Sequence, residues 1–290
     1  MRIIQSYQDN EPILYVVATP IGNLSDITYR AVEILSKVDI IFAEDTRVSG
    51  KLLNHYEIKT HLISVHEHNE HQRASKLQDY FNERLNLAII SDAGTPRISD
   101  PGDVFVKTAI EVGFKIVPIP GPTALITALM ASEISTHPFL FYGFLPSKKT
   151  ACEKVLETIK MVPYTLVFYE APHRIASLIE CLKNIFDDRR VTIAREMTKR
   201  YETFMHFNLK DTVDLTTLKG EIVCIVEGFK EDDYLDQSDL IEHVQLIIAD
   251  GASEMDAIKK VAQSRKMKKN DVYMAYKKHK KHFEDTNQEE

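Results

Sequence analysis

No stretch of this 290-residue sequence approaches the roughly 18 consecutive apolar residues that a membrane-spanning helix needs. The opening MRIIQSYQDNEPILYVV lacks the long apolar centre and small-residue cleavage site of a secretory leader. Both absences predict a cytoplasmic protein with no membrane partner. Cysteine is scarce, and Cys152, Cys181 and Cys224 lie far apart, each in or beside an apolar run. An odd, scattered set of this kind reads as reduced core thiols, not as a disulfide framework. The common nucleotide signatures are missing as well. No G-x-G-x-x-G follows the first apolar run, and no G-x-x-x-x-G-K-[ST] occurs, so neither a classical dinucleotide site nor a P-loop is supported. There is no G-x-S-x-G elbow, and no His or Cys pair has zinc spacing, so no metal is expected. His66, His68 and His71 cluster on a polar connection and read as the start of a solvated helix.

What is present is ordinary globular material: 44% hydrophobic, 27% charged, net charge −7, and a length that suggests about two domains. The charge is unevenly spread. Residues 259–281 hold ten Lys and Arg against the single acid Asp271. That segment is therefore +9, which leaves −16 on the rest of the chain.

Short runs rich in Val, Ile and Leu recur at 14–18, 40–43, 62–65, 87–90 and 115–119, with helical spacing between them at 25–38 and 71–85. Pro101 suits a first helical turn and Gly113 a C-terminal cap around DVFVKTAIEV. Near-continuous apolar strands alternating with amphipathic helices predict a parallel sheet covered on both faces, an α/β domain over residues 1–121. The second half, 122–230, has strand-like runs at 139–145, 165–170, 189–196, 201–207 and 221–229. The run at 189–196 and the one at 201–207 are separated by only MTKR, which favours an antiparallel hairpin, so a mixed sheet is expected there. The fold class is thus two α/β domains, followed over 231–290 by an acidic linker, KEDDYLDQSD, and a basic helical tail. In the tail, Ser253 and Asp256 suit a capping box and Asn270 a second cap. The result is two tightly joined helices, either a helix-turn-helix-like unit or a solvated pair.

In open α/β sheets ligands bind beyond the carboxyl ends of the strands. Four clusters stand there: TPIGNLSD after strand one, EDTR after strand two, DAGTPRISDPG after strand four and PGPTA after strand five. Gly94 and Gly121 allow close backbone approach, Thr95 and Thr123 offer hydroxyls, and Asp92 offers a carboxylate. The set suits a small polar molecule with a positive region. Gly, Pro and Asp also make plain turns, but four such clusters on one edge favour a ligand.

The order TPIGNLSD, AEDTR, SDAGTPRISDPG, PGPTA, FLPSKK, YEAPHR and AREMTKRYE, over about residues 12–230, resembles the ribosomal RNA small subunit methyltransferase I family of the tetrapyrrole methylase superfamily. The resemblance implies 2′-O-methylation of a cytidine in the decoding region. It implies S-adenosylmethionine as cofactor, bound between the domains, and a homodimer acting on small-subunit ribosomal RNA or the assembled small subunit. Carried over by position, Pro20, Asp92, Gly94, Thr95, Thr123, Ala124, Ala171, Glu196 and Thr198 would bind the cofactor.

The ribose hydroxyl needs a base. Strand-end candidates are Glu44, Asp45, Asp92 and Asp100, with His173 and Lys199 from the second half; Glu44, Asp45 and Lys199 are put forward. Glu44 and Asp45 also precede Arg47 and could form a structural ion pair. Lys199 would act as a base only with a lowered pKa, and otherwise would balance negative charge. Arg47, Arg97, Lys148, Lys149, Arg174 and Arg200, with Lys266, Lys268 and Lys269 of the tail, are the candidates to meet RNA phosphate. Two other readings remain: a tetrapyrrole C-methyltransferase, which would not need the basic tail, and a non-enzymatic nucleic-acid binder, which would not need the cleft.

Overall fold

The computed structural model describes residues 5–7, 10–186, 188–215, 218–230, 240–265 and 267–286. The acidic linker after Lys230 and Lys266 lie outside the described residues.

The first half alternates strand and helix: β1 (Ile13–Val17), α1 (Tyr29–Lys37), β2 (Ile40–Ala43), α2 (Thr46–His55), β3 (His61–Ser64), α3 (Glu70–Ala74), α4 (Leu77–Asn82), β4 (Leu87–Ile90), α5 (Asp103–Val112) and β5 (Lys115–Ile119). The five strands form one sheet in the order β3-β2-β4-β1-β5, and every pairing is parallel. Both faces are covered, as the unbroken apolar strands require. Ile13, Tyr15 and Val17 of β1 face Ala31 and Leu35 of α1. Leu14, one residue out of phase, faces Phe105, Val106 and Ala109 of α5.

Two expectations here need correction. The helix expected over 71–85 is two pieces, because the chain turns at Ser75 and Lys76. Ala74 and Leu77, on either side of that turn, still reach the same core. Pro101 is not in the first turn of α5; Gly102, at φ 121°, is the cap, and the Phe105 amide donates to the buried Glu70 carboxylate at 2.8 Å.

The second half contains α6 (Ala124–Met130), β6 (Phe139–Phe144), α7 (Lys149–Ile159), β7 (Thr165–Glu170), α8 (Ile175–Ile185), β8 (Arg190–Arg195), β9 (Thr203–Asn208) and β10 (Ile222–Val226). The sheet order is β6-β7-β10-β8-β9. Only β6 and β7 are parallel; β8 and β9 form the expected antiparallel hairpin, with Arg190 opposite Asn208. One face of this sheet carries α7 and α8 over the larger core, which takes in Cys152, Cys181 and Cys224, all free and buried. On the other face Val167, Ala194, Val223 and Ile225 meet Leu125, Ala128 and Leu129 of α6, and Ile21 from the first half. Beside that small cluster a cleft opens.

Among the described residues the tail is α9 (Leu240–Ala249), α10 (Glu254–Ser264) and α11 (Lys269–Thr286), three helices where two were expected. Ile241, Val244, Ala257, Ile258, Val261, Ala262, Val272 and Tyr276 form a core of their own. The Asp256 amide donates to Ser253 Oγ at 3.2 Å, but the Asp256 carboxylate bonds the Ser253 hydroxyl and not its amide. Asn270 is not a cap, since α11 begins one residue earlier. No helix among the described residues is long and apolar enough to cross a membrane.

Candidate functional site

A cavity of about 600 Å³ lies where the carboxyl edge of the first sheet meets the open face of the second. This is within the roughly 300–1,000 Å³ of small-molecule sites. The segments after β1, β2, β4 and β5 all reach it, through Ile21, Glu44, Asp92 to Thr95 with Ile98 to Asp100, and Thr123 with Ala124. Hydrogen bonds stitch several of them together. The Thr19 amide donates to Gly94 O at 2.8 Å and the Gly94 amide returns to Thr19 O at 3.0 Å, while Thr95 Oγ1 donates to Pro122 O at 3.3 Å. Gly94 sits at φ 82°, and a Cβ there would come within 3.3 Å of Ile21 Cγ2. The same loop holds Arg97 at φ 71° and Ser99 at φ 68°, conformations that an L side chain adopts only when its surroundings impose them.

The acids divide by role. Asp45 caps α2: its Oδ1 accepts from the Arg47 amide at 2.8 Å, and Arg47 Nη2 reaches Oδ2 at 2.6 Å. Hydrogen bonds from Arg47 hold its carboxyl down at about 2. Asp45 is thus the structural half of the EDTR motif. Its amide also donates to Asp92 Oδ1 at 3.0 Å, tying the second strand end to the fourth. Glu44 points into the cavity, and burial, then the charge of Asp92, raises its carboxyl. Burial raises Asp92 too. Asp100 is pushed furthest, to about 6, by burial and then by the charge of Glu44.

From the second half, Ala171, Glu196 and Lys199 line the cavity with Phe144, Tyr169, Glu170, Met197, Gly220, Glu221 and Val223. Lys199 Nζ lies 2.9 Å from Glu196 and 3.3 Å from Glu221. Burial pulls the ammonium down, but the bond to Glu196 and the charges of Glu221 and Glu196 outweigh it. The group ends above its ordinary value and stays protonated, so it is not a neutral base. Gly220 is at φ 84°, and a Cβ there would strike Glu196.

Pro20 and Thr198 do not line the cavity. Pro20 is buried behind Ile21, and Thr198, at φ 66°, donates its amide to Glu202 Oε2 at 2.6 Å between two residues that do. Among the basic residues, Arg174 is committed internally: it pairs with the buried Glu170 at 3.3 Å and donates to Leu145 O and Pro146 O. Arg97 pairs with Asp103 at 2.8 Å and Lys149 with Glu180 at 3.1 Å. Arg200 lies over the Tyr201 ring; Lys148, Lys268 and Lys269 are exposed. Reading residues singly overlooks Phe144 and Tyr169, although each begins a recognisable motif, FLPSKK and YEAPHR. Gly220 and Glu221 give no signal beyond a glycine before a strand. Among the described residues no group of three or more His, Cys, Asp or Glu is placed to hold a metal.

Residues 13–212 match the family model of the tetrapyrrole (corrin/porphyrin) methylases. The chain is 44% identical over 286 residues to a ribosomal RNA small subunit methyltransferase I of Halalkalibacterium halodurans, covering 95% of this chain and 99% of that protein. To the Bacillus subtilis protein of the same description it is 42% identical over 273 residues, covering 91% and 94%. Among solved structures it resembles the methyltransferase CobJ, with TM-score 0.58 and 18% identity over 75% of this chain and 94% of that one. It also resembles a uroporphyrin-III C-methyltransferase from Thermus thermophilus complexed with S-adenosyl homocysteine, with TM-score 0.54 and 16% identity over 74% and 97%.

Proposed function

The chain belongs to the tetrapyrrole (corrin/porphyrin) methylases, and from that premise we propose that it methylates the 2′-hydroxyl of a cytidine in the decoding region of small-subunit ribosomal RNA. It is an S-adenosylmethionine-dependent methyltransferase of ribosomal RNA, like the curated relatives it matches over nearly its whole length. The specific hydroxyl, the nucleotide, the homodimer and a cytoplasmic location are the proposed part.

The observation that carries the reading is the make-up of the cleft. Carboxylates converge on it from both halves, Glu44, Asp92 and Asp100 facing Glu196 and Glu221, with Lys199 alone among the described lysines and arginines in the lining. Such a field suits a ligand bearing positive charge, and the apolar surfaces of Ile21, Met197, Tyr169 and Val223 suit a flat ring. The residues therefore fit the cofactor. Asp92, Gly94, Thr95, Thr123 and Ala124 would hold it from the first side, Ala171 and Glu196 from the second, with Pro20 and Thr198 supporting from behind. When bound, S-adenosylmethionine supplies a methyl group activated on a sulfonium.

The remaining work falls to the chain. Alignment of the reacting groups can supply roughly 7–11 kcal/mol, and the strained 94–102 loop held between two sheets provides a rigid seat. The charge of Glu44 adds to burial in raising the Asp100 carboxyl. With a value near 6, Asp100 is suited to take the hydroxyl proton near neutral pH, a step typically worth about 10²–10⁴-fold. Lys199, fixed as a cation, offsets the charge that builds up there. Residues 1–121 and 122–230 would form the two walls, and residues 231–290 would hold RNA phosphate through lysines such as Lys268 and Lys269, which surround an apolar three-helix core. Lys266 would join them.

The test is direct. Calorimetry of the purified protein with S-adenosylmethionine should show binding near micromolar, and mass spectrometry of ribosomal RNA from cells lacking the gene should show one cytidine short of a ribose methyl. Unchanged RNA would overturn the substrate, and no cofactor heat would overturn the site.

A further inference from the structure

We propose that Phe144 is the surface on which the target base of the RNA stacks, and that a bulge in β6 exists to aim it there. Along β6 the register against β7 runs Phe139 to Thr165, Leu140 to Leu166 and Phe141 to Val167. It then skips to Gly143 opposite Phe168 and Phe144 opposite Tyr169, leaving Tyr142 as the extra residue. Side chains alternate along a regular strand. Without the skip, Phe144 would face the same way as Leu140, which packs on the α7–α8 core. A one-residue slip reverses the face, and bulges recur beside active sites, where they re-aim a side chain. Beyond this one, Phe144 shares the cleft with Tyr169; the two rings are 5.7 Å apart at 66°.

The bulge is built against the opposite wall. Gly143 takes φ 81°, and a Cβ there would lie 3.0 Å from Ser99 Oγ. Ser99 belongs to the strained loop whose Ile98, Ser99 and Asp100 line the same cavity. Two local irregularities, one in each half of the molecule, thus meet at the mouth where Phe144 stands. Of the two aromatic rings in the lining, Tyr169 is committed to the fold: its hydroxyl accepts from the Leu125 amide at 3.1 Å and its ring packs on Phe141. Phe144 remains 53% exposed. A large ring left half open inside a cleft is what an RNA enzyme needs, because unstacked bases are read by stacking on aromatic side chains and a base undergoing chemistry nearby leaves its helical stack.

The inference rests on the ribosomal RNA reading above, and its test keeps the two apart. Wild type, Phe144→Leu and Phe144→Trp are compared for kcat/KM on small ribosomal subunits lacking the modification, and for S-adenosylmethionine affinity by calorimetry. Leucine keeps apolar bulk but has no ring face. The expected result is a loss of roughly 5- to 100-fold in kcat/KM for Phe144→Leu, most of it restored by Phe144→Trp, with cofactor affinity unchanged in both. Wild-type kcat/KM in Phe144→Leu overturns the proposal. So does a loss confined to cofactor affinity, which would put the cofactor's own ring on Phe144. If the wild-type protein leaves the subunit unmodified while binding cofactor, the RNA reading fails first and this inference fails with it.

Discussion

Gly22 and Lys199 compete for one space: a Cβ on Gly22 would fall 2.6 Å from Lys199 Cγ and 2.7 Å from its Cε. One belongs to the loop after β1, the other to the turn between β8 and β9, so a glycine of the first half is the seat for a lysine of the second. Glu196 and Glu221 pin the far end of that lysine, and the stem has little room to yield. Gly22→Ala is expected to destabilise by about 1–3 kcal/mol, as overpacking does. In a Lys199→Ala background the clash is gone and only the strain of an L residue at φ 155° is left, so the same change should cost less, a coupling above about 0.5 kcal/mol. Thermal melts of the four proteins measure it, and simple additivity would show that the two do not share the space.

Gly94→Val is expected to abolish S-adenosylmethionine binding while the protein still melts cooperatively. The residue sits at φ 82° with Ile21 Cγ2 3.3 Å from any added Cβ, and a β-branched side chain is least tolerant of that backbone region. Calorimetry on the folded variant reads the outcome; wild-type affinity would remove the loop from the cofactor site.

Asp100 links pH to both rate and stability. As a base with a value near 6, it should make kcat/KM fall as pH drops through about 6. Asp100→Asn should lose about 10²-fold or more at pH 8 and flatten that limb. The stability effect has the opposite sense. The folded value lies above the ordinary 3.8, so the native state holds the proton more tightly, and stability falls as pH rises from about 4 through 6. Asp100→Asn should therefore melt above wild type at pH 8, with the gap closing below about pH 4. Melting curves at the two pH values, and a rate profile that keeps its acid limb in the variant, decide against the assignment or for it.

Removing the chain after Lys230 should leave cofactor affinity intact, since the tail draws its core from its own three helices. Affinity for small subunits should fall. The dependence of log affinity on log salt should flatten by about 0.7–0.9 for each phosphate that the tail no longer neutralises. Lys268→Gln with Lys269→Gln should reproduce part of the change. An unaltered salt slope in the truncated protein would make the lysines a solvated face only and move RNA binding to exposed residues such as Lys148 and Arg200.

Much of this was legible because parallel strands buried on both faces announce themselves as apolar runs. β2, β4 and β5 begin and end where the Val- and Ile-rich segments do. The cleft was legible for a related reason: a strand end that breaks into Asp, Gly and Thr has few purposes in such a sheet. What escaped depended on partners distant in sequence. Arg174 reads as a surface cation until Leu145 O and Pro146 O, nearly thirty residues away, are seen to hold it. Asp45 and Glu44 are adjacent and chemically alike, and only the start of α2 separates the cap from the cavity residue. Phe144 was hidden by its own strand, because FLFYGF read as a regular alternation puts the ring on the wrong face.

The strand order β6-β7-β10-β8-β9 places the last strand made at the centre of its sheet. During synthesis, a chain that has emerged as far as residue 221 holds a parallel pair on one side and a hairpin on the other, with nothing to join them. The first sheet is complete about a hundred residues earlier. Synthesis at about 5–20 residues per second thus leaves a finished first wall waiting several seconds for the second. Because Ile222 and Val223 of that central strand themselves line the cavity, the cleft does not exist until they arrive. The complete lining of the cleft is therefore among the last parts of the body to be synthesised.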